Sequence, residues 1–222
     1  MKRLADDLHM LSGFPPNGIN VYLMGDVLVD AGTRHSGRRI FRQLDGHQVS
    51  THALTHAHPD HQGASHEVCT TLGIPFWVGE ADADAAEDPR LIGERQPKTR
   101  LNGVIGRFWT GPGHPVDRSL QEGDAVAGFT VLHVPGHSAG HVAYWRESDR
   151  VLVLGDVLNN MDVMTGRRGL REPKWFFTPD PAQNRESIRK LAALEPSLAV
   201  FGHGPPLRDP RALSDFAAKL PA

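Results

Sequence analysis

The sequence predicts a layered fold of mixed strands and helices, α/β or α+β in class. Three observations carry that expectation. Short apolar runs of strand length alternate with turn signals along the chain. Segments with apolar residues at helical spacing lie between them. No repeat, low-complexity tract or linker divides the 222 residues, so one domain over 1–222 is expected. Neither a helix bundle nor a pure β-sandwich matches that alternation.

In order along the chain, residues 19–24 and 26–30 read as two strands joined at Gly25-Asp26. Ile40, Phe41 and Leu44 give 35–45 a helical spacing. A strand is expected at 48–54, a His-rich loop at 55–61, and a helix over 62–73 closed by Gly73. A strand at 75–79 precedes weaker helical material over 80–108, broken at Asp88-Pro89 and Gln96-Pro97. Three β runs follow at 128–134, 141–146 and 150–154. Residues 159–179 form an unusually long connection, of the kind that often covers an active site. A helix over 181–194 starts after Asp180 with Pro181 in its first position. A strand at 198–201 and a helix at 210–219 complete the pattern.

Composition narrows the function classes. At 39% hydrophobic and 23% charged, the chain is foldable and unlike a disordered segment. A formal net charge of −2 gives no global field to recruit nucleic acid or acidic lipid, so neither is an expected partner. The single Cys69 rules out an intrachain disulfide framework and an all-thiolate zinc site. The opening MKRLADDLHM lacks the apolar core of a signal peptide, and no apolar run reaches ~18–20 residues. A soluble cytoplasmic protein is therefore expected. The unusual number is thirteen histidines, because histidine is the commonest metal ligand.

Five of the six residues His56-Ala57-His58-Pro59-Asp60-His61 are polar or turn-forming, and four of them can ligate metal. In an extended segment, residues two apart point the same way, so His56 and His58 can share one ion. Asp60 and His61 open the next helix, displaced enough to face a second. Imidazole and carboxylate donors without thiolate suit zinc, and also iron or manganese. Three more glycine-preceded candidates each follow a β run: His137 after Gly136, Asp156 after Gly155, and His203 after Gly202. Singly these are ordinary turns. Together they bring ligands from several strand ends toward one point.

The order HxHxDH, then GH, GD and GH, resembles the metallo-β-lactamase-fold hydrolase superfamily, with the match running from Asn20 and Asp30-Ala31-Gly32 to His203-Gly204. The resemblance implies a four-layer αββα sandwich of two facing mixed sheets with outer helices. It assigns His56, His58 and His137 to a first metal, Asp60, His61 and His203 to a second, and Asp156 as a bridge. Two zinc ions per chain are implied, with iron or manganese as alternatives. Two cations sharing a water would bring its pKa toward neutrality for attack on a carbonyl. Asp60 is then read as the catalytic group that orients the nucleophile and relays its proton.

The expected reaction is hydrolysis of a small ester, thioester or lactone. Each branch of the superfamily fits imperfectly. Enzymes of the glyoxalase II kind carry a further helical region for glutathione, and few residues follow His203 here. Lactonases usually place a tyrosine shortly after the bridging Asp, where this chain has Val157-Leu158-Asn159-Asn160. β-Lactamases generally lack that Asp. A mononuclear iron enzyme of the persulfide dioxygenase kind is the alternative from another reaction class.

Outside the ligand series, Arg168 and Arg171 are candidate contacts for an anionic substrate, within a basic and aromatic loop that also holds Lys174 and Trp175-Phe176-Phe177. His133 and His141 are candidates to hydrogen-bond a ligand from behind. Cys69 reads as a buried apolar residue without activating context.

Overall fold

The structure, a computed structural model, describes residues 1–221. Its first half forms a seven-stranded sheet in the order β1 (Lys2–Ala5), β2 (Leu8–Met10), β3 (Tyr22–Met24), β4 (Val27–Val29), β5 (Thr51–Ala53), β6 (Phe76–Gly79) and β7 (Arg118–Leu120). The first four strands pair antiparallel, and β4 to β7 run parallel. Parallel neighbours need crossovers, supplied by α1 (Gly37–Leu44) between β4 and β5, and by α2 (Pro59–Gln62) with α3 (Ser65–Leu72) between β5 and β6. Between β6 and β7 run α4 (Ala83–Glu87), α5 (Arg90–Arg95) and α6 (Arg100–Trp109), interrupted at the two predicted X-Pro positions.

The second sheet has five strands. In chain order they are β8 (Ala125–Val126), β9 (Phe129–His133), β10 (Val142–Arg146), β11 (Val151–Val153) and β14 (Leu198–Val200), the last parallel to β11. Helices α7 (Pro181–Ala192) and α8 (Pro210–Ala217) cover its outer face, where Leu152, Leu154 and Ala199 pack on Ile188, Leu191 and Leu213. Strand alternation builds the layers. Val151 and Val153 face the inter-sheet core with Tyr22, Met24, Val29 and Tyr144, while Leu152 between them points to the helices. On the far side Leu23 and Leu28 meet Ile40, Leu44 and Val68 of α1 and α3. The result is the four-layer αββα arrangement, an α+β class.

Local chemistry sets the element ends. Asp180 caps α7 by accepting from the Gln183 N–H at 2.9 Å, with Pro181 in the first turn. Gly73 takes a left-handed φ of 64° after α3. Three expectations need correction. The helix expected over 62–73 begins only at Ser65, and a separate short helix, Pro59–Gln62, occupies the end of the stretch expected as a His-rich loop. The long connection at 159–179 contains a hairpin of β12 (Asn159–Met161) and β13 (Arg168–Arg171), then a short 3-10 turn at Trp175–Phe177. The N-terminal β1 and β2 also exist where no strand was expected, since charged residues obscure their apolar Leu4 and Leu8.

Candidate metal centre

Strand direction explains why distant residues meet. β9, β11 and β14 end at one edge of the second sheet, and His137, Asp156 and His203 lie in the segments that leave them. His56 and His58 leave the end of β5, and Asp60 and His61 sit in α2 with Pro59 at its N-terminus. The structure brings all seven into three overlapping groups: His56 with His58 and His137, His56 with His61 and Asp156, and Asp60 with His61 and His203. Within each group the donor atoms lie within 4.8 Å of one another.

The distances fix Asp156 between the two sides. Its carboxylate is 3.0 Å from His203 Nε2 and 3.7 Å from both His61 Nε2 and His137 Nε2. His203 Nε2 also lies 3.2 Å from the Asp60 carboxylate. Close approach requires glycine at two positions. At Gly202 a Cβ would overlap Asp156 Oδ1 and stand 2.6 Å from His61 Cε1. At Gly155, with φ +55°, it would stand 2.7 Å from His141 Cε1.

Groups behind the site aim the imidazoles. His61 Nδ1 donates to Asp30 Oδ2 at 2.8 Å, and His203 Nδ1 donates to the Gly18 carbonyl. Each ring therefore turns Nε2 inward. Thr178 Oγ1 meets His137 Nδ1 at 3.1 Å, and Thr55 Oγ1 meets His56 Nδ1 at 3.0 Å. The inward atoms His56 Nε2, His61 Nε2, His137 Nε2 and Asp156 Oδ1 are buried without any hydrogen-bond partner. Orphaned buried polar atoms are costly, and a convergent set of nitrogen and carboxylate donors is the arrangement a divalent cation satisfies.

Electrostatics divides the site. Burial, then the neighbouring imidazoles, hold His56 well below its ordinary pKa. Burial and His58 do the same to His137, so both stay neutral as ligation requires. On the other side burial pushes His61 down, but Asp30, Asp156 and Asp60 together carry it well above its usual value. Burial is likewise outweighed at His203, where Asp156 and Asp60 raise it to about 10. Burial opposes ionisation of Asp156, yet His203 and His61 bring its carboxyl well below the usual range. His61 and His203 do the same for Asp60.

The family model described as the metallo-beta-lactamase superfamily matches residues 14–203. The chain belongs to that superfamily. A probable metallo-hydrolase of Bacillus subtilis, YflN, is 30% identical over 209 residues, covering 86% of this chain and 79% of the relative. A hydroxyacylglutathione hydrolase of Rhodospirillum rubrum is 32% identical over 159 residues, 69% of this chain, which spans about half (48%) of that relative's length. Among solved structures, the B3 metallo-beta-lactamase BLEG-1 aligns with a TM-score of 0.69 at 30% identity, covering 94% of this chain and 96% of that one. TTHA1623 in a di-iron-bound form aligns at 0.64 and 28% identity, covering 99% and 98%. The protein is an enzyme, a metal-dependent hydrolase of the superfamily.

The superfamily site opens into a cleft of about 850 Å³. His58, Asp60, His137, Asp156 and His203 reach it at the floor, and Arg168 and Arg171 lie on its wall. Arg171 is engaged: its Nη1 is 3.2 Å from Asp162, which also takes Lys174 Nζ at 2.7 Å. Arg168 is exposed. Of the two outer histidines, His141 reaches the centre. Its Nε2 accepts the Asp156 N–H at 3.1 Å, and its ring stacks on His56 with centroids 4.6 Å apart. His133 does not: its Nε2 faces the Leu120 carbonyl at 3.3 Å, because strand alternation directs the ring along the inter-sheet side. Cys69 is buried, and its thiol is pushed up to about 12, chiefly by burial.

Two residues that organise the site escaped the sequence reading. Asp30 was visible only within a matched tripeptide, with no role assigned. Asp82 is buried and accepts from Ala57 N at 3.0 Å, Ser138 Oγ at 2.6 Å and Gly140 N at 2.8 Å. It thereby ties the His56–His58 segment to the His137 segment. No local sequence signal marks a contact between segments so far apart.

Proposed function

We propose that the seven side chains hold two divalent metal ions, and that the enzyme hydrolyses a small ester, thioester or lactone. His56, His58 and His137 would hold one ion, Asp60, His61 and His203 the other, with Asp156 common to both. The observation that carries this reading is the set of inward-facing, unpartnered Nε2 and carboxylate atoms. Zinc suits these donors, and the di-iron neighbour supports iron as the alternative. When bound, such a metal pair supplies a nucleophile of hydroxide strength near neutral pH and charge to stabilise an oxyanion.

The protein's own groups do the rest. Asp60 is less deeply buried than the other ligands and faces the cleft, with its carboxyl held ionised. It is placed to take the proton of the attacking water and return it to the leaving group. His141 fixes the peptide N–H of Asp156 from behind and so holds the shared carboxylate in register. Asp30, Thr55, Thr178 and Gly18 keep the ligand rings from rotating.

The test combines metal quantification with a substrate panel of thioesters, lactones, β-lactams and phosphodiesters. Two metals per chain and turnover of a carbonyl substrate are expected, with His58→Ala losing metal and activity together. One iron per chain with sulfur oxidation would replace this reading by the dioxygenase alternative. Full retention of two tightly held metals in His58→Ala would overturn the ligand assignment.

A further inference from the structure

Among the described residues, six large apolar side chains are exposed: Phe14, Leu72, Val104, Phe108, Met164 and Trp175. Two of them, Phe14 and Met164, line the cleft above the metal centre, and Val104, Phe108 and Trp175 stand on segments that give other residues to its wall. Those segments are α6 and the chain from Met161 to Phe177. A random scatter of single apolar residues needs no explanation, but a cluster continuous with a binding cleft does. The cleft wall is apolar as well, with Ile19, Ile105, Trp109, Met161, Val163 and Phe177. Helix α6 buries none of its residues, so its Leu101, Val104, Ile105 and Phe108 serve no core. It is nevertheless tied down: Asn102 Nδ2 donates to the Phe176 carbonyl, and the Trp109 carbonyl accepts from Arg34 N at 2.9 Å.

The charges of the cleft are sorted with equal clarity. Asp162 takes both Arg171 and Lys174, as well as the Met164 and Thr165 N–H groups, so those two cations serve the loop. Glu172 is paired with Arg185 at 2.7 Å. Arg168 stays exposed on the wall with no acidic partner among the described residues. The anions Asp60 and Asp156 are confined to the floor.

We infer that the substrate is an amphiphile: an acyl ester or thioester whose alkyl portion lies along α6 and Phe177 and whose anionic end meets Arg168. This rests on the proposed hydrolase reading and names its substrate class. The test uses the metal-loaded full-length chain and two homologous probe series, n-alkanesulfonates and n-alkanols, titrated calorimetrically. Sulfonates are chosen because they ligate metals weakly.

Sulfonate affinity is expected to rise about two- to fourfold per added methylene. Arg168→Ala, at an exposed position, should weaken sulfonates about two- to fivefold and leave alkanols unchanged. Ile105→Ser, on a helix with no buried residue, should flatten the chain-length dependence in both series. Affinity independent of chain length overturns the proposal, as does an equal loss for both series in Arg168→Ala. The two readings separate cleanly. Chain-length-dependent binding without turnover of any ester or thioester defeats the hydrolase reading alone. Turnover of short substrates with flat binding defeats the amphiphile alone.

Discussion

Asp30 and His61 are joined by a 2.8 Å hydrogen bond between carboxylate Oδ2 and imidazole Nδ1, with both side chains buried. Asp30 also accepts from the Thr55 N–H and hydroxyl, so three donors fix its orientation. The residue adopts a positive φ of 61° at the end of β4, where asparagine is equally tolerated. Asp30→Asn should therefore fold, keep the hydrogen bonds in part, and lose the charge that makes His61 a strong ligand. Metal affinity is expected to fall about 10- to 100-fold. Equilibrium dialysis against a metal buffer checks this, and unchanged affinity would remove Asp30 from the metal-supporting shell.

His203 carries a second prediction, about protons. Its pKa of about 10 means that the imidazole is protonated at pH 8, and a metal can bind there only by displacing that proton. Metal loading at pH 8 should release at least one proton per chain. Affinity should rise with pH and fall as the solution is acidified. Calorimetry in buffers of different ionisation enthalpy measures the release directly; a count of zero would contradict the place of His203 among the ligands.

How much of this was legible beforehand follows from where each signal resides. The mixed strand-and-helix class and the His and Asp candidates were readable because apolar spacing, caps such as Asp180-Pro181, and His or Asp after strand-end glycines are local patterns, whereas the αββα order and the grouping of those candidates came only from the family resemblance. Asp82 was not readable, since its three partners are brought to it only by the packing of distant segments. His133 was a candidate only as a histidine near a strand end; on β9 its ring shares the inter-sheet side with Val131 and meets the Leu120 carbonyl, away from the centre. The 159–179 hairpin was hidden too. Asp162, which gathers Arg171, Lys174 and two backbone N–H groups, looks like any loop carboxylate until those partners are seen.

Gly202 tests the packing of the centre independently of any charge. A methyl group there collides with Asp156 Oδ1 and His61 Cε1, while the Gly202 N–H bond to the Gly155 carbonyl at 2.9 Å is untouched. Gly202→Ala should cost about 1–3 kcal/mol of stability, as overpacking does. It should also displace the shared carboxylate, lowering metal content and cutting kcat/KM by about 100-fold or more. Thermal unfolding and metal analysis of the same preparation decide the matter. Wild-type metal content together with wild-type activity would mean that Asp156 does not need the position it occupies.

The last prediction concerns acid stability and a histidine outside the centre. His52, wholly buried in β5, donates from Nδ1 to the Leu28 carbonyl at 2.9 Å, so its Nε2 accepts from the Ser65 hydroxyl at 2.8 Å. The ring is thus satisfied in its neutral form. Burial lowers its pKa to about 4, against the ordinary 6.5. Between those two values the unfolded chain binds a proton that the folded chain refuses. The stabilisation from a neutral His52 is therefore complete above pH 6.5 and drains away as the pH falls toward 4, by up to about 3 kcal/mol. His52→Gln removes the titration. It should be less stable than wild type at pH 7, with the gap narrowing steadily between pH 6.5 and 4. Denaturant unfolding across that range reads the gap, and parallel curves for the two proteins would show that His52 is protonated in the folded state.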